Sequence, residues 1–306
     1  MRVHLKEAGT FPAVVSSIRL ESIYISPTND EKGQPDLRVA KVDHGARFVF
    51  SYSDGARFAV DREGREIWAD WPDQYTLEDA TTYLLGPVIG FILRLRGVVP
   101  LHASAVALEE QAVAILGAPG AGKSTTAAGF ARLGHAVLSD DLAALRESDG
   151  GFLVQSGYPR VNVWPDSALA LFGPERSLPN ISSTWDKRFV ALDQQGMRFE
   201  RRELPLAAIY ILGAREEKLS VPGINEMEGA SALINLAANT YVNYLLDSEM
   251  REHEFNVLTR LLSSVPVRFV RPPADPSRLR GMCEAIEIDL KKLASLSSVA
   301  THPGHA

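Results

Sequence analysis

The octet Gly117-Ala118-Pro119-Gly120-Ala121-Gly122-Lys123-Ser124 constrains this chain more than any other stretch. It matches G-x-x-x-x-G-K-[ST] at every fixed position. Upstream, "AVAILG" is a short apolar run bounded by glycine, the pattern of a strand buried in a parallel sheet. Downstream, "KSTTAAGFARLG" has helical apolar spacing and stops at Gly134. A glycine-rich turn between strand and helix lets the backbone close around phosphate oxygens with its N–H groups pointing inward. The helix N-terminus adds its positive dipole end. In that setting Lys123 reaches the β- and γ-phosphates of a nucleoside triphosphate, and the Ser124 hydroxyl ligates Mg²⁺. Gly117, Ala118, Pro119, Gly120, Ala121, Gly122, Lys123, Ser124 and Thr125 form the candidate cradle, with ATP and Mg²⁺ as its expected ligands and the choice between ATP and GTP left open.

"HAVLSDD" follows almost at once and reads as another strand. A β-loop-α-β order implies a parallel sheet with a right-handed crossover. If this strand runs parallel to "AVAILG", its end delivers Asp140 and Asp141 to the same crevice. Two adjacent carboxylates there divide the labour: one reaches the metal while the other accepts a proton from an attacking hydroxyl. A solvated turn is the plainer alternative. His102, in "LHASAV" just before the first strand, is a candidate by position alone.

Composition narrows the remaining choices. At 306 residues the chain has room for one large or two modest domains, and 45% hydrophobic with 23% charged residues is ordinary for a globular protein. The net charge of −6, with acids spread along the chain, gives no sign of the basic face that nucleic acid requires. One cysteine, Cys283, excludes an intramolecular disulfide and a cysteine-rich metal site, and reads as a buried small hydrophobe. "MRVHLKEAGTFPAVV" lacks the apolar run of a signal peptide, and "YLLGPVIGFIL" is too short to span a bilayer. A cytoplasmic protein without nucleic-acid or membrane partners is the expectation; a homo-oligomer stays open.

Three segments follow from the patterning: a β-rich domain over 1–97 ending in a helix, an α/β domain over 98–290, and a disordered tail over 291–306. "RFVFSYSDGARFAVDREGREIWADW" alternates around the turns Ser53-Asp54-Gly55 and Arg62-Glu63-Gly64, predicting antiparallel hairpins. Thr76 is the N-cap of a helix that Gly86-Pro87 kinks midway and Gly97 ends. "PLAAIYILGA" and "PVRFVRP" read as strands. "GASALINLAANTYVNYLL", "HEFNVLTRLLSSV" and "DPSRLRGMCEAIEIDLKKLASL", capped by Asp275, read as helices.

"LHASAVAL", "GAPGAGKST" and "HAVLSDD", in this order and at this spacing, resemble the C-terminal domain of HPr kinase/phosphorylase and its relatives. The likeness covers about residues 98–190 well and the rest to 285 loosely. "GYPRVNVWPDSALALFG" occupies the place of that family's glycine-rich signature segment. The resemblance implies an α/β fold with a P-loop domain of the HPr kinase type beside a small β-rich N-terminal domain. It implies Asp140 as general base, Asp141 as a Mg²⁺ partner, and His102 near the phosphates or the acceptor hydroxyl. "WDKRFV" resembles a basic stretch beyond the signature segment, which makes Lys187 and Arg188 candidates for contacting substrate or transferring phosphate. Arg188 is the better of the two, because its fork matches phosphoryl oxygens; Arg160 is a weaker candidate of the same kind. The sequence departs from the family in two respects: "LVQSGYPR" carries no counterpart of the signature glutamate, which Glu203 replaces only if folding brings it in, and the segment is less glycine-rich than the family's, which bears on phosphoprotein recognition and the reverse phosphorolysis. The whole chain is more similar to HPr-kinase-like proteins found beside ribosomal peptide pathways, including lasso-peptide kinases. That implies the serine hydroxyl of a peptide or protein as acceptor. A small-molecule kinase and a nucleotide-binding module without transfer are the alternatives.

Overall fold

Alternation of apolar and polar residues between positions 37 and 70 becomes an antiparallel meander in the computed structural model, which describes residues 1–6, 11, 20–174, 177–182, 185–194 and 196–300. Strands β1 (Arg2–Leu5), β2 (Glu21–Ile25), β3 (Leu37–Val42), β4 (Arg47–Tyr52), β5 (Arg57–Asp61) and β6 (Glu66–Asp70) form one sheet in the order β1-β6-β5-β4-β3-β2. Only β1 runs parallel to its neighbour, β6. Gly55 (φ 94°) and Gly64 (φ 63°) take the left-handed conformations that close the two expected turns. Period-two alternation splits the side chains between two faces. Phe50, Phe58 and Ile67 pack with Phe91 on one face, while Val49 and Ala59 meet Phe11 on the other.

Helix α1 (Leu77–Tyr83) begins in a capping box. The Asp79 N–H donates to Thr76 Oγ1 at 3.2 Å, and the Thr76 N–H donates to Asp79 Oδ2 at 2.8 Å. Gly86 and Pro87 then fall in a single π-type turn, Leu84–Val88, before α2 (Ile89–Leu95) resumes. Pro87 has no N–H to give the helix, which is why the axis breaks there. These elements belong to the first of two compact units: Met1–Pro100, Asn180–Asp186 and Tyr241–His253. The second comprises Leu101–Pro179, Lys187–Thr240 and the chain from Glu254 on.

The second unit is built on a mixed sheet. Strands β7 (Pro100–Leu101), β8 (Ser104–Leu108) and β9 (Gln111–Gly117) precede helix α3 (Lys123–Arg132) and β10 (Ala136–Ser139). Then come β11 (Ala143–Ser148), β12 (Gly151–Val154), β13 (Arg160–Val163), helix α4 (Pro165–Phe172), β14 (Arg188–Ala191), β15 (Arg198–Phe199), β16 (Leu204–Leu212) and β17 (Gly223–Glu226). Helices α5 (Gly229–Ala238) and α6 (Ser248–Ser264), strand β18 (Val267–Arg271) and helix α7 (Leu279–Ala300) complete the chain. The sheet runs β15-β10-β8-β9-β16-β12-β11-β7, with β18 also paired to β16, while β13 and β14 form a separate ladder.

The simple parallel sheet implied by the β-loop-α-β order needs correcting. Strand β8 turns straight back onto β9 as an antiparallel partner, and β10 pairs antiparallel to β8. Strand β10 thus points the same way as β9 but lies one strand away. Strands β16 and β18 are parallel to β9 and to each other. The carboxyl ends of β9, β10, β16 and β18 consequently share one edge of the sheet, the edge from which loops reach a ligand in open α/β sheets.

Two helix boundaries also differ from expectation. Helix α5 stops at Ala238, although its apolar pattern continues to Leu246. Thr240 is bridged to Leu101 and Val242 has φ 49°, so tertiary pairing overrides the helical pattern there. Helix α7 runs to Ala300, through residues expected as tail, and Leu293 extends into it the stripe of Met282, Ile286 and Leu290 that packs on the core at helical spacing. Residues 301–306 lie outside the described residues. Asp275 caps a 3₁₀ turn, Pro276–Arg278, that leads into α7, its carboxylate accepting from Ser277 N–H at 2.9 Å. Cys283 is free and fully buried. Among the described residues no helix is long and apolar enough to cross a membrane.

Candidate functional site

The loop between β9 and α3 is held open by glycine geometry. Gly117 (φ 149°), Gly120 (φ 80°) and Gly122 (φ 110°) all occupy conformations that L side chains rarely adopt. At Gly117 a Cβ would stand 2.8 Å from the backbone oxygen of Leu212, so the parallel approach of β16 also demands a residue without a side chain. No side chain caps α3, whose N-cap is Gly122. The first-turn N–H groups of the helix therefore border the loop as an anion-attracting end.

Lys123 folds back over this loop. It is 8% exposed, and its Nζ donates to Gly117 O at 2.8 Å and to Ala118 O at 3.4 Å. Burial lowers its pKa, against the opposing pull of Asp141 and Asp140, whose negative charges it feels. The positive charge of Lys187 acts on it in the same direction as burial. One lysine is thus within electrostatic reach of both acids.

The two acids sit in contrasting surroundings. Asp140 is 1% exposed. Its Oδ1 accepts from Ser104 Oγ at 2.7 Å and its Oδ2 from the Asn162 N–H at 2.8 Å, and the Ser124 hydroxyl is near enough to act on its charge. Burial raises its pKa, and Asp141 adds to the rise, although the donors of Asn162, Ser104 and Ser124 oppose it. Asp141 takes φ 73°, a left-handed conformation that costs an aspartate of order 1 kcal/mol or more. Its side chain is 35% exposed, and its Oδ1 lies 3.2 Å from His102 Nε2. The turn in the backbone separates neighbouring carboxylates: one is pinned inside, the other presented beside a histidine.

Lys123, Ser124, Asp140, Asp141 and His102 therefore come together at one edge of the sheet. Thr125 lies one residue further along α3, its Oγ1 donating to Ser167 Oγ at 3.0 Å. Lys187 carries its Nζ 5.4 Å from the centre of the Trp164 ring. The Arg160 guanidinium lies 5.0 Å from the Tyr158 ring and 5.7 Å from that of Phe189. Arg188 stands opposite Val163 in the β13–β14 ladder. Glu203 is not brought in: both of its oxygens meet the Arg146 guanidinium.

Three contributors escaped the sequence reading. Ser104 was legible in principle, two residues after His102 at the start of a strand. Asn162 acts through its main chain, which no residue type announces. Tyr158 is half-buried near the acids, and burial of its ring with the charges of Asp140 and Asp141 pushes its hydroxyl up to about 12. Among the described residues no three His, Cys, Asp or Glu side chains are grouped to hold a metal ion. The oxygens of Ser124, Asp140 and Asp141 suit Mg²⁺, which binds through one or two protein groups plus phosphates rather than in an all-protein cage.

No family model matches the chain, and no curated protein matches it. Among solved structures it is similar to the HPr(Ser) kinase/phosphatase from Coxiella burnetii. The two are 14% identical, with a TM-score of 0.36 and coverage of 67% of this chain and 99% of that one. A likeness so distant does not bear on function.

Proposed function

We propose that residues 117–125 hold the phosphates of ATP and that the chain transfers the terminal phosphoryl group to a serine hydroxyl of a peptide or protein. The observation that carries this reading is the glycine loop itself, with Gly117, Gly120 and Gly122 at positive φ before an uncapped helix α3, at the sheet edge where β10 delivers the acid pair. The loop N–H groups and the α3 N-terminus receive phosphate oxygens. Lys123 exchanges the Gly117 carbonyl for the β- and γ-phosphates. Mg²⁺, when bound, neutralises charge on those phosphates.

The surroundings of the acids favour a division of labour opposite to the one the family resemblance implies. Asp140, with both oxygens engaged and Ser124 beside it, fits the acid that orients the metal-binding hydroxyl. Asp141 is accessible and paired with His102, so it suits the group that takes the acceptor's proton. A carboxylate is a weak base at its ordinary pKa, and alignment with charge stabilisation supplies most of the rate. Lys187, whose charge acts on Lys123, and Arg160, whose charge acts on Tyr158, are the nearby cations, and Arg188 follows Lys187 at the start of strand β14.

The pairing of Glu203 with Arg146 favours a second reading, a nucleotide holder without transfer, since Glu203, the residue that could have replaced the signature glutamate, is engaged away from the loop. Incubation with γ-labelled ATP, Mg²⁺ and serine-containing peptides separates the two. Label on a peptide with wild type, and none with Asp141→Asn, is the expected result. Tight ATP binding with no label on any acceptor, free amino acids and sugars included, would leave only the holder.

A further inference from the structure

Four tyrosines of the first unit stack in two pairs. Period-two alternation puts Tyr52 on the sheet face of Phe50, and the register sets Leu37 opposite Tyr52 and Val39 opposite Tyr24. Tyr83, the last residue of α1, stacks on Tyr52 with ring centres 3.8 Å apart and an interplanar angle of 20°. Tyr244, in the 3₁₀ turn Asn243–Leu245, lies on Tyr24 at 4.4 Å and 33°. Tyr24, Tyr52 and Tyr83 are half-buried and Tyr244 is exposed, so the rings stay open to solvent on one side.

Two carboxylates accompany the rings. Asp54 sits in the turn between β4 and β5, where its Oδ1 accepts from the Ala56 N–H at 2.9 Å and its Oδ2 from the Tyr83 hydroxyl at 2.8 Å. Asp36 precedes β3, and its main-chain oxygen accepts from the Ser53 N–H at 3.2 Å, so the loops carrying the two acids lie together. The charges of Asp54 and Asp36 both act on Tyr83. Among the described residues neither carboxylate pairs with a lysine, arginine or histidine, and that of Asp36 has no hydrogen-bond partner.

Tyr52 completes the cluster. Its hydroxyl oxygen is buried and has no hydrogen-bond partner, although a buried tyrosine hydroxyl ordinarily finds one. Burial, with Tyr244, Tyr83 and Asp54 around it, holds this hydroxyl protonated, well above the usual tyrosine range. The cluster thus offers aromatic faces, one unused hydroxyl and two acids that lack a cation.

We propose that this cluster receives the guanidinium group of an arginine side chain carried by a partner polypeptide. A guanidinium stacks on tyrosine faces, is more weakly hydrated than an ammonium, and holds its donors in a planar fork. Asp36, Asp54 and the Tyr52 oxygen are the acceptors for those donors. Tyr24 lies on β2, which ends the sheet order among the described residues. An extended segment following that edge finds main-chain groups to pair with beside the rings, which favours a polypeptide over a free cation. The inference is independent of the glycine loop and of phosphoryl transfer.

NMR titration of the full chain, read from the tyrosine ring signals, tests this with four probes: N-acetyl-arginine amide, its neutral citrulline counterpart, N-acetyl-lysine amide and free arginine. Capped arginine is expected to bind with a Kd on the order of 1 mM, and capped citrulline and lysine about fivefold or more weaker. Asp36→Asn and Tyr52→Phe are each expected to weaken capped arginine about threefold or more; the phenylalanine keeps the stack on Tyr83 and removes only the unused hydroxyl. No binding of capped arginine, equal affinity for capped citrulline, or unchanged affinity in both variants overturns the site. Capped lysine binding as tightly as capped arginine overturns the guanidinium assignment. Free arginine binding more tightly than the capped residue gives the site to the amino acid itself and overturns the polypeptide.

Discussion

Both units of the molecule bury charged side chains, and they use them differently. In the first unit Asp79 closes a capping box and Arg94 donates to the Tyr241 carbonyl oxygen at 3.1 Å. Asp79 receives both the N–H and the hydroxyl of Thr76, Arg94 reaches a main-chain oxygen, and these contacts fix where elements end and meet. In the second unit Asp140 and Lys123 are buried at the edge of a glycine loop, close enough for the carboxylate's charge to act on the lysine. Their partners include a serine hydroxyl and loop carbonyls that a ligand can displace. A buried charge held by backbone at an element end points to architecture; two opposite charges beside an anion-attracting helix end point to chemistry.

That contrast can be broken by substitution. The largest effect is expected at Lys123→Ala, which should abolish phosphoryl transfer and weaken ATP binding roughly tenfold to a hundredfold while the fold persists. Retained ATP affinity by calorimetry would contradict the placement of the phosphates. Asp141→Asn should lower the transfer rate by roughly 10²–10⁴ with ATP affinity nearly unchanged, as single-turnover kinetics would measure. A rate loss at Asp140→Asn alone would return the base to Asp140. On the architectural side, Asp79→Ala should cost about 1 kcal/mol of stability in chemical denaturation and leave nucleotide affinity untouched. Any change in ATP binding there would blur the distinction between the two units.

The smallest effect sharpens the comparison through pH. Burial raises the Asp140 pKa above its unfolded value, so ionisation of this group costs stability as pH climbs from the unfolded pKa through the folded one. Asparagine carries no charge and still accepts from the Asn162 N–H. Asp140→Asn should therefore raise the melting temperature of the ligand-free protein at neutral pH and have little effect in acid. Lower stability at neutral pH would mean that the hydrogen bonds outweigh the burial of charge.

Much of the local structure is legible along the chain. Gly55, Gly64, Thr76 and Gly86-Pro87 act through neighbours within a few residues, and each does in the fold what its residue type demands. The succession of β9, glycine loop and α3 is legible for the same reason. What escapes is pairing. Strands β8, β9 and β10 are all short and apolar, and periodicity does not say which lies beside which. The insertion of β8 carries Ser104 to Asp140, and the ladder of β13 carries the Asn162 N–H to the same carboxylate.

By itself the sequence determined that a glycine-wrapped loop would stand between a buried strand and a helix, because backbone freedom and apolar spacing are local properties. It also determined that two acids would follow within a short reach. Only tertiary structure decided that Asp140 would be locked inside by distant donors while Asp141, turned by a positive φ, would face His102. Hydrogen bonds between remote segments select one geometry from many that local preferences allow equally, and that selection sets the environment of each acid.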